Sequence, residues 1–316
     1  MTDRDAAGTP YQRIQRAVAG PGDWWRPITG VLTLALGVVA MAPFVVLALF
    51  AIWYAVTGGD LDLDRLTDTD HVTPGALAYV FLVLASAIPV TWLVVRAVHG
   101  LPLRWLTSVA GRMRWRWLAT CFGLAVVALL ATLFVSGLLP DQGGSDLSGD
   151  VTDWSSTTRD FLLIVVLLTP LQAAGEEYAF RGYLTQAFGG LTRQPWVAVL
   201  VPAVLFALAH GLGQSWPIFF DRFAFGVVAG TLVILTGGLE AGIAMHVLNN
   251  WLAFGLALTF DEMDSTLNPT GGTWWSIPVT LTQSLVYLGL TVYVGRRQGV
   301  QTTTEPGVLE ASRGRV

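Results

Sequence analysis

Phe161-Leu-Leu-Ile-Val-Val-Leu-Leu-Thr-Pro-Leu171 runs on through Gln172 into Gly175-Glu-Glu-Tyr-Ala-Phe-Arg-Gly-Tyr-Leu184. A segment apolar enough to enter a bilayer thus carries two carboxylates and a guanidinium with it. Such charges cost about 2.5–3.5 kcal/mol each at mid-helix on insertion scales, so they face a protein interior or water and mark a site. Helical spacing separates their work. Glu177 and Arg181 stand i,i+4 with the acid N-terminal, the better orientation for an ion pair, whereas Glu176 is turned about 100° away and lacks that partner. One carboxylate is neutralised and the other is left for chemistry.

Apolar runs of about 20 residues recur on both sides of this stretch, as expected of helices that cross a membrane. Of the 316 residues, 53% are hydrophobic and only 13% charged, a composition that excludes a soluble globular or disordered chain. A transmembrane β-barrel would alternate in segments of about ten residues, and the runs here are continuous. The fold class read from this pattern is all-α: a polytopic membrane protein of about eight transmembrane helices in one domain. A lone cysteine, Cys121, rules out an intrachain disulfide framework and reads as packing.

The spans are expected at about 28–56, 74–98, 118–139, 159–188, 195–211, 216–235, 240–258 and 276–294. They form a transmembrane domain over 28–295, flanked by a cytoplasmic N-terminal tail (1–27) and a polar C-terminal tail (296–316). The first tail lacks the apolar core of a cleaved signal and ends in Trp24 and Trp25 at the first span. Gly58–Thr73, Asp141–Thr158 and Asp261–Thr273 are acidic and hold Arg65 as their one basic residue. Arg104, Arg112, Arg114 and Arg116 interleave with Trp105, Trp115 and Trp117, the pattern of a helix lying in the cytoplasmic headgroup layer rather than of a nucleic-acid surface. By the positive-inside rule the arginine-bearing loops and both termini are cytoplasmic and the acidic loops external.

Of the four histidines, His71 and His99 lie in or beside polar loops, where solvation explains them. His210 and His246 lie on apolar spans. Phe206 and His210 share one helix face at i,i+4, and so do His246 and Asn250. With a turn near Arg193, Glu176 and His210 are each 17 residues from it, about 25 Å at 1.5 Å per residue, so they are level. His246 follows the turn near Gly237 by only about nine residues, which demands an offset seventh helix or a partly re-entrant segment. Asp221 and Arg222 read as residues at the interfacial end of a span, and the glycines within spans as helix packing.

The ordered set Glu176-Glu177-x-x-x-Arg181, Phe206-x-x-x-His210 and His246-x-x-x-Asn250, each on an apolar span, resembles the signature of the CAAX-protease and bacteriocin-processing family of intramembrane endopeptidases. The resemblance covers about 161–258 and implies a catalytic site inside the helix bundle of a multi-pass protein of the bacterial cytoplasmic membrane. It also implies that Glu176 is a general base with His210 beside it, and that His246 and Asn250 polarise the scissile carbonyl or hold the water. Glu177, Arg181 and Phe206 then support that site. Two histidines and a glutamate (His210, His246 and Glu176) suit zinc with an open position, yet there is no His-Glu-x-x-His and a metal-free mechanism uses the same residues. The implied partners are the bilayer and a peptide or protein substrate, lipidated in the prenyl-processing members. A binding or immunity-type protein using the same pocket is one alternative. A proton-coupled transporter is another, and the chain lacks the repeated halves such a protein would carry.

Overall fold

The structure is a computed structural model that describes residues 8–20, 22–138, 151–211, 213–267 and 274–309. Helix accounts for 78% of it, without strands among the described residues. Seven helices are long and apolar enough to cross a membrane: α1 (Asp23–Thr57), α2 (Pro74–His99), α3 (Trp115–Ser136), α4 (Ser156–Leu191), α6 (Trp216–Thr236), α7 (Glu240–Thr259) and α8 (Ile277–Arg297). An eighth apolar helix, α5 (Pro195–Ala209), falls between α4 and α6. At 15 residues it rises only about 22 Å, short of the roughly 30 Å hydrocarbon core. The all-α, multi-pass membrane architecture expected from the apolar runs is thus the one observed.

Burial sorts the helices into lining and lipid-facing. Over the most apolar 18-residue stretch, 56% of α7 and 50% of α4 is buried, against 11% of α1. Helix α7 packs on α3, α4 and α6; α4 packs on α2 and α7; α6 packs on α5 and α8. Close approach needs missing side chains. A Cβ on Gly175 would stand 2.3 Å from the Leu84 carbonyl oxygen, and one on Gly226 2.9 Å from the Ala203 Cα, so glycine permits the α2–α4 and α5–α6 contacts.

The two ends of the bundle differ in chemistry. At one end Pro10 pairs with Thr303, the Tyr11 hydroxyl donates to the Leu106 carbonyl, and Arg13 Nη1 donates to the carbonyls of Gly189 (2.7 Å) and Thr192 (2.8 Å). At the other end Val72 donates to Asp264 (2.6 Å) and Thr152 to the Thr259 carbonyl (2.8 Å). Arginine-rich segments therefore share one end and acidic loops the other. Residues 139–150, most of the acidic loop expected over Asp141–Thr158, lie outside the described residues.

The segments flanking the transmembrane domain pack against it. In the N-terminal tail Tyr11, Ile14, Gln15 and Val18 are buried along two short helical turns, Tyr11–Arg13 and Ile14–Val18. The C-terminal segment likewise buries Thr304 and Leu309. The reading of the arginine- and tryptophan-rich loop as a surface helix is corrected: its one helical turn is Arg104–Thr107, and Trp105, Leu106, Ser108 and Val109 are buried. Trp105, Leu106 and Val109 point inward and roof the bundle while Trp115 stays exposed, a division that charge interleaving alone does not reveal.

That roof explains the depth of α7. Gly237, in the left-handed region at φ 69°, ends α6, and the turn into α7 is held inside the protein. Val109 donates to the Gly237 carbonyl (2.8 Å) and Leu239 to the Thr107 carbonyl (2.9 Å). Buried beneath, Glu240 takes both arms of Arg114, Nε at 2.8 Å and Nη2 at 2.7 Å, while Arg114 Nη1 donates to the carbonyls of Thr236 and Gln301, each at 2.9 Å. The offset demanded by the short interval from Gly237 to His246 is this sunken turn. His99, expected in a solvated loop, is also buried, 2.9 Å from the Tyr183 hydroxyl.

Candidate active site

Helix α4 changes its winding where its charges begin: Ser156–Glu176 is α-helical and Glu177–Leu184 is a π-helix. Such wide turns are frequent at functional sites. More residues per turn means a smaller angle between successive side chains, and Glu176 and Glu177 both reach the imidazole of His246 on α7. His246 Nδ1 lies 3.0 Å from Glu177 Oε1, and Nε2 lies 3.6 Å from Glu176 Oε2. A carboxylate only accepts, so Nδ1 carries a proton donated to Glu177, and Nε2 is directed at Glu176.

Each carboxylate is held by a different set of groups. Glu177, fully buried, also lies 3.2 Å from Arg181 Nη1. Arg181 is fully buried in turn, its guanidinium carbon 3.9 Å from the centre of the Phe206 ring, so the ion pair is completed by a cation–π contact. Glu176 is held from its own helix: Gln172 Nε2 donates to Glu176 Oε1 at 2.6 Å, and Asn250 Nδ2 on α7 donates to Gln172 Oε1 at 2.9 Å. Glu176 Oε2 is buried without a hydrogen-bond partner. The clamp thus fixes one oxygen and leaves the other facing His246. Gln172 was not singled out from the sequence, although its i,i+4 spacing to Glu176 on the same helix is the signal that would have found it.

Phe206 separates the two histidines, with ring centres 4.6 Å from His210 and 6.1 Å from His246; Phe225 of α6 stands 5.0 Å from His246. His210 caps α5, Nδ1 on the Phe206 carbonyl (2.8 Å), which leaves Nε2 as the available nitrogen. Arg222 holds this end of α5 through the His210 carbonyl (3.3 Å) and Gln214 Oε1 (2.9 Å). The direct neighbour of Glu176 is His246, and His210 joins the group through the Phe206 ring. Asp221 binds Thr280 on α8, away from this group.

The residues read as zinc donors are brought to one region without forming a ligand cage. Among the described residues no three or more His, Cys, Asp or Glu side chains form a group that could hold a metal ion. What the arrangement offers chemically is a buried carboxylate oxygen free to accept a proton, an imidazole nitrogen beside it, and aromatic rings that exclude bulk water.

Residues 158–252 match the family model described as type II CAAX prenyl endopeptidase Rce1-like, so the resemblance carried by the three motifs is borne out. The matched span contains Glu176, Glu177, Arg181, Phe206, His210, His246 and Asn250. An uncharacterized Bacillus subtilis protein, YyaK, is 26% identical over 89% of this chain and 96% of its own length. No solved structure matches the chain.

Proposed function

We propose, from the likeness of residues 158–252 to CAAX prenyl endopeptidases, that this membrane protein hydrolyses a peptide bond with a water activated by Glu176. The observation that carries the reading is the unpartnered Glu176 Oε2, buried 3.6 Å from His246 Nε2. A water held to one side of this pair, in reach of both, gives its proton to Glu176 Oε2 as its oxygen attacks the scissile carbonyl carbon. The same proton then passes from Glu176 to the leaving amine, which closes the cycle.

The charge count supports this assignment. Glu176, Glu177 and Arg181 sum to one negative charge, and a proton taken by Glu176 brings the buried group to neutrality, the state an apolar bundle tolerates best. Glu177 holds His246 in the tautomer that presents Nε2, as an orienting carboxylate does in hydrolytic triads. Asn250, through Gln172, keeps Glu176 in place, and its second amide proton is available to the developing oxyanion, together with His210 Nε2 once protonated. No step runs through a metal ion.

The substrate in this reading is a peptide end presented at the membrane, with a prenylated C-terminus as the lipidated form. In this reading the arginine-bearing end of the bundle faces the cytoplasm. Purified protein in liposomes is to be incubated with prenylated and unprenylated peptides and the products read by mass. We expect cleavage by the native protein and none by Glu176→Gln. Binding of the peptides without cleavage by either protein would replace the peptidase reading with that of a binding protein.

A further inference from the structure

A cavity whose lining includes neither Glu176 nor Glu177 lies at the arginine-bearing end. It measures about 330 Å³ and is lined by the Tyr11–Val18 turns, the start of α1 and the turn after α4. Arg13, Arg16, Arg26 and Arg193 surround it against one acid, Asp23. Asp23 is already engaged, by the Gly20 amide at 2.6 Å and Arg26 Nε at 3.2 Å. Arg16 and Arg193 are exposed and have no acidic partner among the described residues. A second observation points to a ligand: Gln15 lines the same cavity, is 2% exposed, and neither its side-chain Nε2 nor its Oε1 has a hydrogen-bond partner.

A buried amide without partners is costly unless something fills its hydrogen bonds, and guanidinium forks match phosphate oxygens in geometry as well as charge. The cavity also sits at headgroup depth. Trp24, 67% exposed, lines it at the point where the apolar, lipid-facing α1 begins. We infer that this cavity binds a phosphate group, with the arginines taking its charge and Gln15 Nε2 donating to an oxygen. At that depth an anionic phospholipid headgroup is the natural source, and free phosphate shares the same chemistry. A bound headgroup would tie the N-terminal turns to α1 and α4 at the membrane surface.

Thermal melts of the full-length protein in detergent, with native mass spectrometry of retained lipid, test this. Short-chain phosphatidylglycerol is to be compared with phosphatidylcholine and with inorganic phosphate at matched ionic strength. We expect phosphatidylglycerol to raise the melting temperature and stay bound. The double variant R16Q/R193Q, unchanged without lipid because both residues are exposed, should bind it roughly tenfold or more weakly. Arg193→Gln alone serves if the double variant melts early. Arginine-dependent stabilisation by inorganic phosphate in place of the lipid would keep the site and identify soluble phosphate as its occupant. Equal stabilisation by both lipids, or unaltered binding by the arginine variants, would overturn the proposal.

Discussion

Glu176→Gln keeps the size of the side chain and its bond with Gln172 while removing the proton acceptor. We expect that variant to melt normally in detergent and to lose at least about 10²-fold in turnover, the usual scale for a lost general base. Glu177→Gln differs because it strands the fully buried Arg181 and releases His246 Nδ1. Breaking a buried pair costs about 3–5 kcal/mol, so this variant and Arg181→Leu should lose thermal stability together with activity. Both measurements belong on the same preparations: near-normal turnover by Glu176→Gln would remove this residue from the role of base. A metal requirement is tested at this scale as well. We expect turnover to persist in protein verified metal-free after chelation, whereas loss that zinc restores would make Glu176, His210 and His246 its donors.

Among the elements, the α4–α7 contact aims the glutamates and depends on Gly242, while Gly175 serves the neighbouring α2–α4 contact. A Cβ on Gly242 would meet Glu177 Oε2 at 2.6 Å, so Gly242→Ala pushes the orienting carboxylate away from His246. Overpacking of this kind costs about 1–3 kcal/mol, and here we expect it mainly as a tenfold or greater fall in kcat. Gly175→Ala instead meets the backbone of α2 at Leu84. It should lower the melting temperature and disturb activity only secondarily, because two helices rather than one side chain must move apart. Equal effects of both substitutions on kcat and on stability would contradict this division.

Over the whole molecule, the bundle is closed at one end by segments that are remote in sequence. Arg114 ties the start of α3 to Glu240 at the head of α7 and to Gln301 beyond α8, so Arg114→Leu should cost about 3–5 kcal/mol by leaving Glu240 buried and unpaired. Thermal melts that match the native protein would refute that tie. Orientation is tested by labelling, since Cys121 is buried and contributes little background. A cysteine at Ser265, beside the acidic end, should react with an impermeant reagent from outside the cell and one at Gln194 should not; the reverse pattern would invert the topology.

Apolar runs of bilayer length determined the all-α, membrane-spanning class, because a backbone in hydrocarbon must satisfy its own hydrogen bonds and the helix does so within one segment. Charges interrupting those runs marked Glu176, Glu177, Arg181, His210 and His246, since few other reasons put such residues at that depth. Periodicity within a helix also captured the Glu177–Arg181 pair and pointed to Phe206 beside His210. It carried no information between helices. That His246 rather than His210 stands directly against Glu176, and that Glu177 serves both Arg181 and His246, follows from the sunken α6–α7 turn and the π-winding of α4. Each of these is imposed by packing. The segments taken for tails and a surface helix became a roof for the same reason: their few apolar side chains find a partner only after the eight helices are assembled, so no local pattern announces them.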